Sequence, residues 1–124
     1  MNKSLAWQQD DVKEIADCSV FTVNRSRSSI VRDGKRLSHD FFYLHCRNWV
    51  NVIPMTSNGE VILIEQFRAG IKAVTLEIPG GTIDETDESS KTACTRELLE
   101  ETGYAAQEVV FLGRNNPNPA IQDN

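Results

Sequence analysis

The chain is poor in the features that mark several large protein classes. It carries three cysteines, Cys18, Cys46 and Cys94. They are odd in number and show no metal-ligand spacing, so neither a disulfide framework nor a cysteine-held zinc is encoded. The reading is reduced thiols in a cytosol. No apolar run approaches the roughly 20 residues that span a bilayer. No basic segment followed by an apolar stretch opens the chain, so no membrane anchor or secretory leader is predicted. Positive charge is in deficit, with 13 Lys and Arg against 18 Asp and Glu and a net charge of −5. That balance argues against general binding to nucleic acid or to an anionic membrane. It suits a protein that recruits cations to handle an anionic substrate. Repeats and low-complexity tracts are absent. His39 and His45 have no partner at catalytic or ligand spacing and read as structural or surface groups. What remains is ordinary: 124 residues, 40% apolar and 25% charged, enough for one small globular domain.

The informative stretch runs from Gly80-Gly81-Thr82-Ile83-Asp84-Glu85-Thr86-Asp87-Glu88 to Thr95-Arg96-Glu97-Leu98-Leu99-Glu100-Glu101-Thr102-Gly103-Tyr104. It reads as a glycine-rich loop, a helix of about four turns and a glycine stop. Asp87 or Thr86 is expected to cap the helix, with Glu88 in its first turn. At about 100° per residue, Arg96, Glu97, Glu100 and Glu101 share one side, while Leu98 and Leu99 are expected in the core. Carboxylates three and four apart repel by roughly a few tenths of a kcal/mol each. Arg96 offsets only part of that. A Glu-rich helical face reads either as solvated surface or as a site for a hard divalent cation. The adjacent Gly80-Gly81, which lets backbone approach a ligand closely, favours the second.

This stretch resembles the signature of the Nudix hydrolases: glycine, five residues, Glu, seven residues, then Arg-Glu-apolar-any-Glu-Glu-any-Gly-apolar. The second half is met throughout from Arg96 to Tyr104. The signature's first Glu falls on Glu88. Its glycine falls on Thr82, with Gly81 one place early, so the loop carries one extra residue, a small cost in a surface loop. Either Asp87 or Glu88 can play the loop carboxylate's part. Gln66-Phe67-Arg68 and Leu76-Glu77-Ile78-Pro79-Gly80-Gly81 resemble the segments that precede the signature in the ADP-ribose and nucleotide-sugar pyrophosphatase branch.

In chain order, residues 1–17 read as a loose arm or short helix anchored by Trp7 and Ile15. Strands are expected at Cys18–Val23, more weakly at Arg25–Arg32, and at Phe41–Cys46, with a tight turn at Asp33-Gly34. This opening resembles the small N-terminal β region of the same branch, which there helps form a dimer. Further strands are expected at Trp49–Met55, Val61–Phe67, Val74–Ile78 and Glu108–Gly113. Ser57-Asn58-Gly59 is the hairpin turn, and Trp49 is assigned to the core. The four aliphatics Val61–Ile64 suggest a strand covered on both faces. The resemblance implies an α+β fold, an α/β/α sandwich with a mixed β-sheet. Residues 1–47 would form the N-terminal arm and β region and 48–124 a partial core, with the signature at 81–104. The family pattern leads to expect further strands and a helix beyond Asn124, and the general base with them.

The resemblance also implies the roles. Glu97 and Glu101 would be primary metal ligands, Glu100 a further ligand or helper, and the carbonyl of Gly80 or Gly81 would complete the shell. Arg96, with Glu100 and Glu101, is assigned to catalysis; Arg96 would orient Glu100. Arg68 reads as a phosphate contact or a surface salt bridge, and Glu77 as a substrate contact or a solvated strand residue. Mg²⁺ is the expected ion and Mn²⁺ the second candidate. The implied activity is hydrolysis of the pyrophosphate bond in ADP-ribose or a nucleotide sugar, in a cytoplasmic homodimer with no nucleic-acid or membrane partner. Two competitors stand beside it: a catalytically weak nucleotide-binding module or fragment, and an acidic-helix interaction domain without a ligand.

Overall fold

The computed structural model describes residues 5–124. The first four positions of the expected N-terminal arm lie outside the described residues. The chain folds as two compact units. One comprises the described residues up to Arg47 with Arg114–Asn124, the other Asn48–Gly113.

The first unit is an antiparallel meander of β1 (Gln8–Asp17), β2 (Phe21–Arg32) and β3 (Lys35–Cys46), with β2 in the middle. Its pleat buries Asn24, Ser26, Ser28 and Ile30 on one face of β2. Phe41 and His39 stand opposite Ser26 and Ser28. The Phe41 ring meets Trp7 at 5.2 Å and His39 at 4.8 Å. Small hydroxyl side chains on the central strand are thus covered by large ones from its neighbours. The buried hydroxyls satisfy one another, Ser26 Oγ lying 2.9 Å from Ser28 Oγ and accepting from Gln9 Nε2 at 3.1 Å.

Three expectations change here. The segment read as an arm or short helix is β1. It is exposed along its whole length and carries charge on both faces, so it shows no alternation for sequence reading to detect. Its order comes from the ladder to β2 and from Asp10, which accepts from Ser29 Oγ at 3.0 Å and Arg36 Nη2 at 2.9 Å. The segment read as a strand at Cys18–Val23 begins with a turn: Ser19 has φ 66 and its N–H donates to Asp17 Oδ1 at 2.8 Å. The remainder joins Arg25–Arg32 as one strand. β3 also starts earlier than expected, because Asp33 (φ 52) and Gly34 (φ 75) form the predicted turn and pair Arg32 with Lys35. Near the C-terminus, Leu44 N–H donates to Ile121 O at 2.7 Å, and His45 Nδ1 lies 2.7 Å from Asp123 Oδ2. A parallel bridge joins Leu44 and Gln122.

The second unit holds β4 (Trp49–Asn51), β5 (Ile64–Arg68), β6 (Ala73–Glu77), β7 (Gly80–Thr82) and α1 (Ser90–Thr102). β5 and β6 form one antiparallel pair, β4 and β7 another, and α1 packs on β4 and β7. The described chain is therefore α+β, of antiparallel ladders with one parallel bridge and a helix.

Several boundaries move. β4 ends at Asn51, and Val50, 8% exposed, is its core residue, whereas Trp49 is 37% exposed. The Ser57–Gly59 turn forms as predicted, with Thr56 N–H donating to Glu60 O at 2.9 Å. Beyond it, though, the bridge Met55–Val61 replaces a regular ladder and β5 begins only at Ile64. Val61 and Leu63 are accordingly 46% and 43% exposed, not covered on both faces. Glu108–Gly113 forms no ladder among the described residues, and Val110, Phe111 and Leu112 are exposed. β propensity supplies a preference for a pleated surface, not a partner strand.

The helix starts two or three residues later than predicted. Ser89 is its N-cap and accepts from Thr92 N–H at 3.2 Å, so Asp87 and Thr86 do not cap and Glu88 precedes the helix. Gly103 closes it as expected, in the left-handed region, donating to Leu99 O at 2.9 Å. Leu98 is buried at 4%, beside Ala93 at 0%, but Leu99 is 53% exposed. Consecutive residues lie about 100° apart, and one narrow contact stripe cannot bury both. No helix among the described residues is long and apolar enough to cross a membrane.

With Leu98 only 4% exposed on the helix that packs against β4 and β7, Leu98→Ala should destabilise the chain by roughly 2–4 kcal/mol. Leu99→Ala should cost less than about 1 kcal/mol. Urea unfolding followed by far-UV circular dichroism gives both values.

Candidate active site

The expected glycine loop is a strand. Gly80–Thr82 pairs antiparallel with β4, Asn51 opposite Gly80 and Val50 opposite Gly81. Val52 N–H donates to Pro79 O and Ile83 N–H to Asn48 O. The alternation of an antiparallel ladder then makes Val50–Gly81 a bonded pair and turns the Gly80 amide and carbonyl away from β4. Both glycines are required by proximity. A Cβ on Gly80 would stand 2.3 Å from Val50 O, and one on Gly81 2.3 Å from Glu97 Oε1. The helix carboxylate occupies the space that the missing side chain leaves. Gly80 N–H in turn donates to Glu101 Oε2 at 2.9 Å. Glu97 and Glu101, one helical turn apart, therefore both direct their carboxylates at the Gly80-Gly81 backbone.

Arg96 organises the other side. Its Nε and Nη2 donate to Asp87 at 3.2 and 2.8 Å. Nη2 also reaches Thr82 O at 3.0 Å. Nη1 donates to Glu97 Oε1 at 2.8 Å and to Glu100 Oε2 at 3.2 Å. Asp84 adds an ion pair at 3.7 Å. The Asp87 side chain is only 3% exposed. The guanidinium, helped by the Asp84 N–H that donates to Asp87 at 2.9 Å, holds the Asp87 carboxyl below the usual carboxylate range. Reciprocally, Asp87 and then Glu97 raise the Arg96 pKa. Of the two candidate loop carboxylates, Asp87 bonds Arg96, whereas Glu88 is exposed. A turn closed by Asp87 N–H to Asp84 O at 3.0 Å delivers the Asp87 carboxylate.

One guanidinium thus faces Asp84, Asp87, Glu97 and Glu100. Glu101 instead receives two neutral donors, Gly80 N–H and Gln66 Nε2, the latter at 2.8 Å. The described residues contain no group of three acidic, histidine or cysteine side chains already drawn together as for an ion. Donor chemistry and charge nevertheless fit a hard divalent cation. The Glu97, Glu100 and Glu101 oxygens, with the outward Gly80 carbonyl, are the ligand type such ions take, and the negative charge exceeds what Arg96 offsets.

Arg68 and Glu77, both expected at substrate, are bonded to each other. Arg68 Nε donates to Glu77 Oε1 at 2.8 Å, and Nη2 to Glu77 Oε2. Thr75 Oγ1 also contacts Glu77 Oε1. These bonds, Arg68 first, lower the Glu77 pKa to about 2, and the Glu77 bond chiefly raises that of Arg68, with Glu101 adding to the same field. Among the described residues, neither side chain is bonded to Glu97 or Glu100. The residue that sequence reading missed is Gln66. Its signal was parity: Ile64, Gln66 and Arg68 lie on one face of β5.

A profile of the NUDIX domain matches residues 47–123. An ADP-ribose pyrophosphatase of Bacillus subtilis is 35% identical over 74 residues, covering 60% of this chain and 40% of that protein. An ADP-sugar pyrophosphatase of Mus musculus is 45% identical over 62 residues, 47% of this chain and 28% of that one. A crystal structure of an ADP compounds hydrolase superposes with a TM-score of 0.77 at 27% identity, covering 97% of this chain and 64% of that chain. The chain thus spans less than half the length of these curated relatives.

The two glycines should respond differently to an added methyl. Gly80→Ala meets the Val50 backbone carbonyl, which cannot swing aside, and should lower the melting temperature measurably. Gly81→Ala meets the carboxylate end of the Glu97 side chain, which can rotate aside where backbone cannot, and should leave the fold melting near wild type while displacing that carboxylate. A thermal melt of each variant reads the contrast.

Acid should loosen the Arg68–Glu77 pair. Glu77 falls from 4.5 to about 2 on folding, so its contribution is fully present above about pH 4.5 and is lost as pH falls through 2. Urea titrations between pH 5 and 2 should show Glu77→Gln losing less stability over that window than wild type.

Proposed function

The chain belongs to the Nudix family, and from that premise we propose that it hydrolyses the pyrophosphate bond of a nucleoside diphosphate joined to ribose or a sugar. ADP-ribose is the first substrate, and a nucleoside monophosphate and a sugar phosphate are the products. The observation that carries the proposal is the convergence of Glu97 and Glu101 on the Gly80-Gly81 backbone. Similarity to an ADP-ribose pyrophosphatase and an ADP-sugar pyrophosphatase supports the substrate class.

Glu97, Glu101 and Glu100, with the Gly80 carbonyl, would hold a divalent cation, Mg²⁺ first and Mn²⁺ second. Such an ion neutralises phosphate charge and activates water. Arg96 orients Glu97 and Glu100 from one guanidinium and fixes them against β7 through Thr82 O. Asp87 locks Arg96 in turn. Arg68 spends Nε and Nη2 on Glu77, which leaves Nη1 to meet a phosphate oxygen. Glu77 then serves as the anchor that aims Arg68. The three free cysteines agree with the proposed cytoplasmic setting, and the homodimer rests on the resemblance of the N-terminal strands.

A second reading, a nucleotide-binding module with little turnover, is favoured by one observation. Glu97 and Glu100 each spend an oxygen on Arg96. Incubation with ADP-ribose, GDP-mannose and a nucleoside triphosphate separates the two. Monophosphate release from ADP-ribose should require Mg²⁺ or Mn²⁺, stop on chelation and fall by about 100-fold or more in Glu101→Gln. Saturable nucleotide binding without release would support the second reading instead. Neither binding nor release would sink both and leave an acidic-helix interaction domain. Sizing the same preparation in solution reads the homodimer.

A further inference from the structure

We propose that Gln66 is a positioning residue for Glu101, setting the carboxylate's direction with a neutral donor so that no cationic side chain is bonded to it and its oxygens stay available to a divalent cation. The inference rests on the reading of the site given above. Glu101 is the helix carboxylate of the site that Arg96 does not bond. Its two oxygens are each held once, Oε1 by Gln66 Nε2 at 2.8 Å and Oε2 by Gly80 N–H at 2.9 Å. An ionised carboxylate only accepts, so the NH₂ end of the Gln66 amide must face it. About four lone-pair directions are available on a carboxylate, so two bonds fix its plane and leave the rest open. A lysine or arginine here would fix it equally well but would supply the counter-charge itself. The choice of an amide is therefore informative.

Gln66 is itself held in place. It stands opposite Thr75 in the β5–β6 ladder, and Thr75 Oγ1 lies 3.2 Å from Gln66 O. The same hydroxyl contacts Glu77, the partner of Arg68. One face of the hairpin thus runs from Arg68 through Glu77, Thr75 and Gln66 to Glu101. Groups that orient a ligating carboxylate through its remaining oxygen change metal affinity by roughly 10–100-fold when removed.

Mn²⁺ titration followed by electron paramagnetic resonance tests this without turnover. Gln66→Met keeps the length and removes the donor. It should weaken Mn²⁺ binding about 10-fold or more while melting near wild type. The same substitution in a Glu101→Gln background should add nothing, because the carboxylate it orients is gone. Gln66→Lys, which brings its own charge to Glu101, should lose more affinity than Gln66→Met. Wild-type affinity in folded Gln66→Met would overturn the inference. So would an equal loss in the presence and absence of the Glu101 carboxylate, which marks a general structural effect. Wild-type chain that binds no Mn²⁺ would overturn the site reading itself, and this inference with it.

Discussion

The second unit depends on a single guanidinium. Arg96 ties three stretches together: the turn that carries Asp84 and Asp87, the strand carbonyl of Thr82, and its own helix at Glu97 and Glu100. Arginine suits the task because its fork presents several donors in fixed directions and keeps its charge. A lysine would supply the charge but not the geometry. The arrangement also explains how a helix tolerates Glu97, Glu100 and Glu101 so close together. Repulsion at such spacing is worth only a few tenths of a kcal/mol per pair, and Arg96 and the strand amide of Gly80 absorb part of it. The surplus negative charge is thereby confined to the edge that faces the glycines.

Much of this was legible in sequence and some was not, for definite reasons. The Gly103 stop, the Asp33-Gly34 turn and the Ser57–Gly59 turn are local, set by residue types that adopt left-handed backbone, so short-range reading finds them. The convergence of Glu97 and Glu101 on the glycines follows from helical spacing and a motif. What escaped was everything decided by a partner. β1 is a strand because β2 is beside it, and Glu108–Gly113 is not one because nothing pairs with it among the described residues. The choice between Asp87 and Glu88 turned on one residue in a loop, and counting alone favours Glu88. A turn from Asp84 to Asp87 brings the Asp87 carboxylate to Arg96, and Ser89 takes the cap. Leu99 shows the limit of angular reasoning: it was expected in the core beside Leu98, but it is 53% exposed, because one step along the helix separates buried from exposed.

The pairing of Arg68 with Glu77 bears on the proposed substrate contact more than on stability. Both side chains are partly exposed, and an exposed ion pair contributes little. Yet the contact is two-pronged, and Thr75 reinforces it. A free arginine at a strand end samples many rotamers and loses about 2 kcal/mol of side-chain freedom when a ligand immobilises it. An arginine already held by Glu77 has given up much of that freedom during folding. The pair would therefore lower the cost of the proposed phosphate contact without adding net positive charge.

The same geometry weighs against the plain interaction-domain reading. An acidic helix evolved only to display charge has no use for a glycine whose Cβ would lie 2.3 Å from a glutamate oxygen. Nor does it need a strand amide and a glutamine directed at a second glutamate. Charges meant for a distant partner do best when solvated and mobile. Here Glu97 and Glu101 are drawn inward and partly desolvated, Glu97 against Gly81 and held by Arg96, Glu101 held by the Gly80 amide. Ordering carboxylates against their own repulsion costs free energy, which Arg96 and the Gly80 amide offset only in part and a further cation would offset more fully. That is the physical ground for preferring a cation-dependent site over a charged surface.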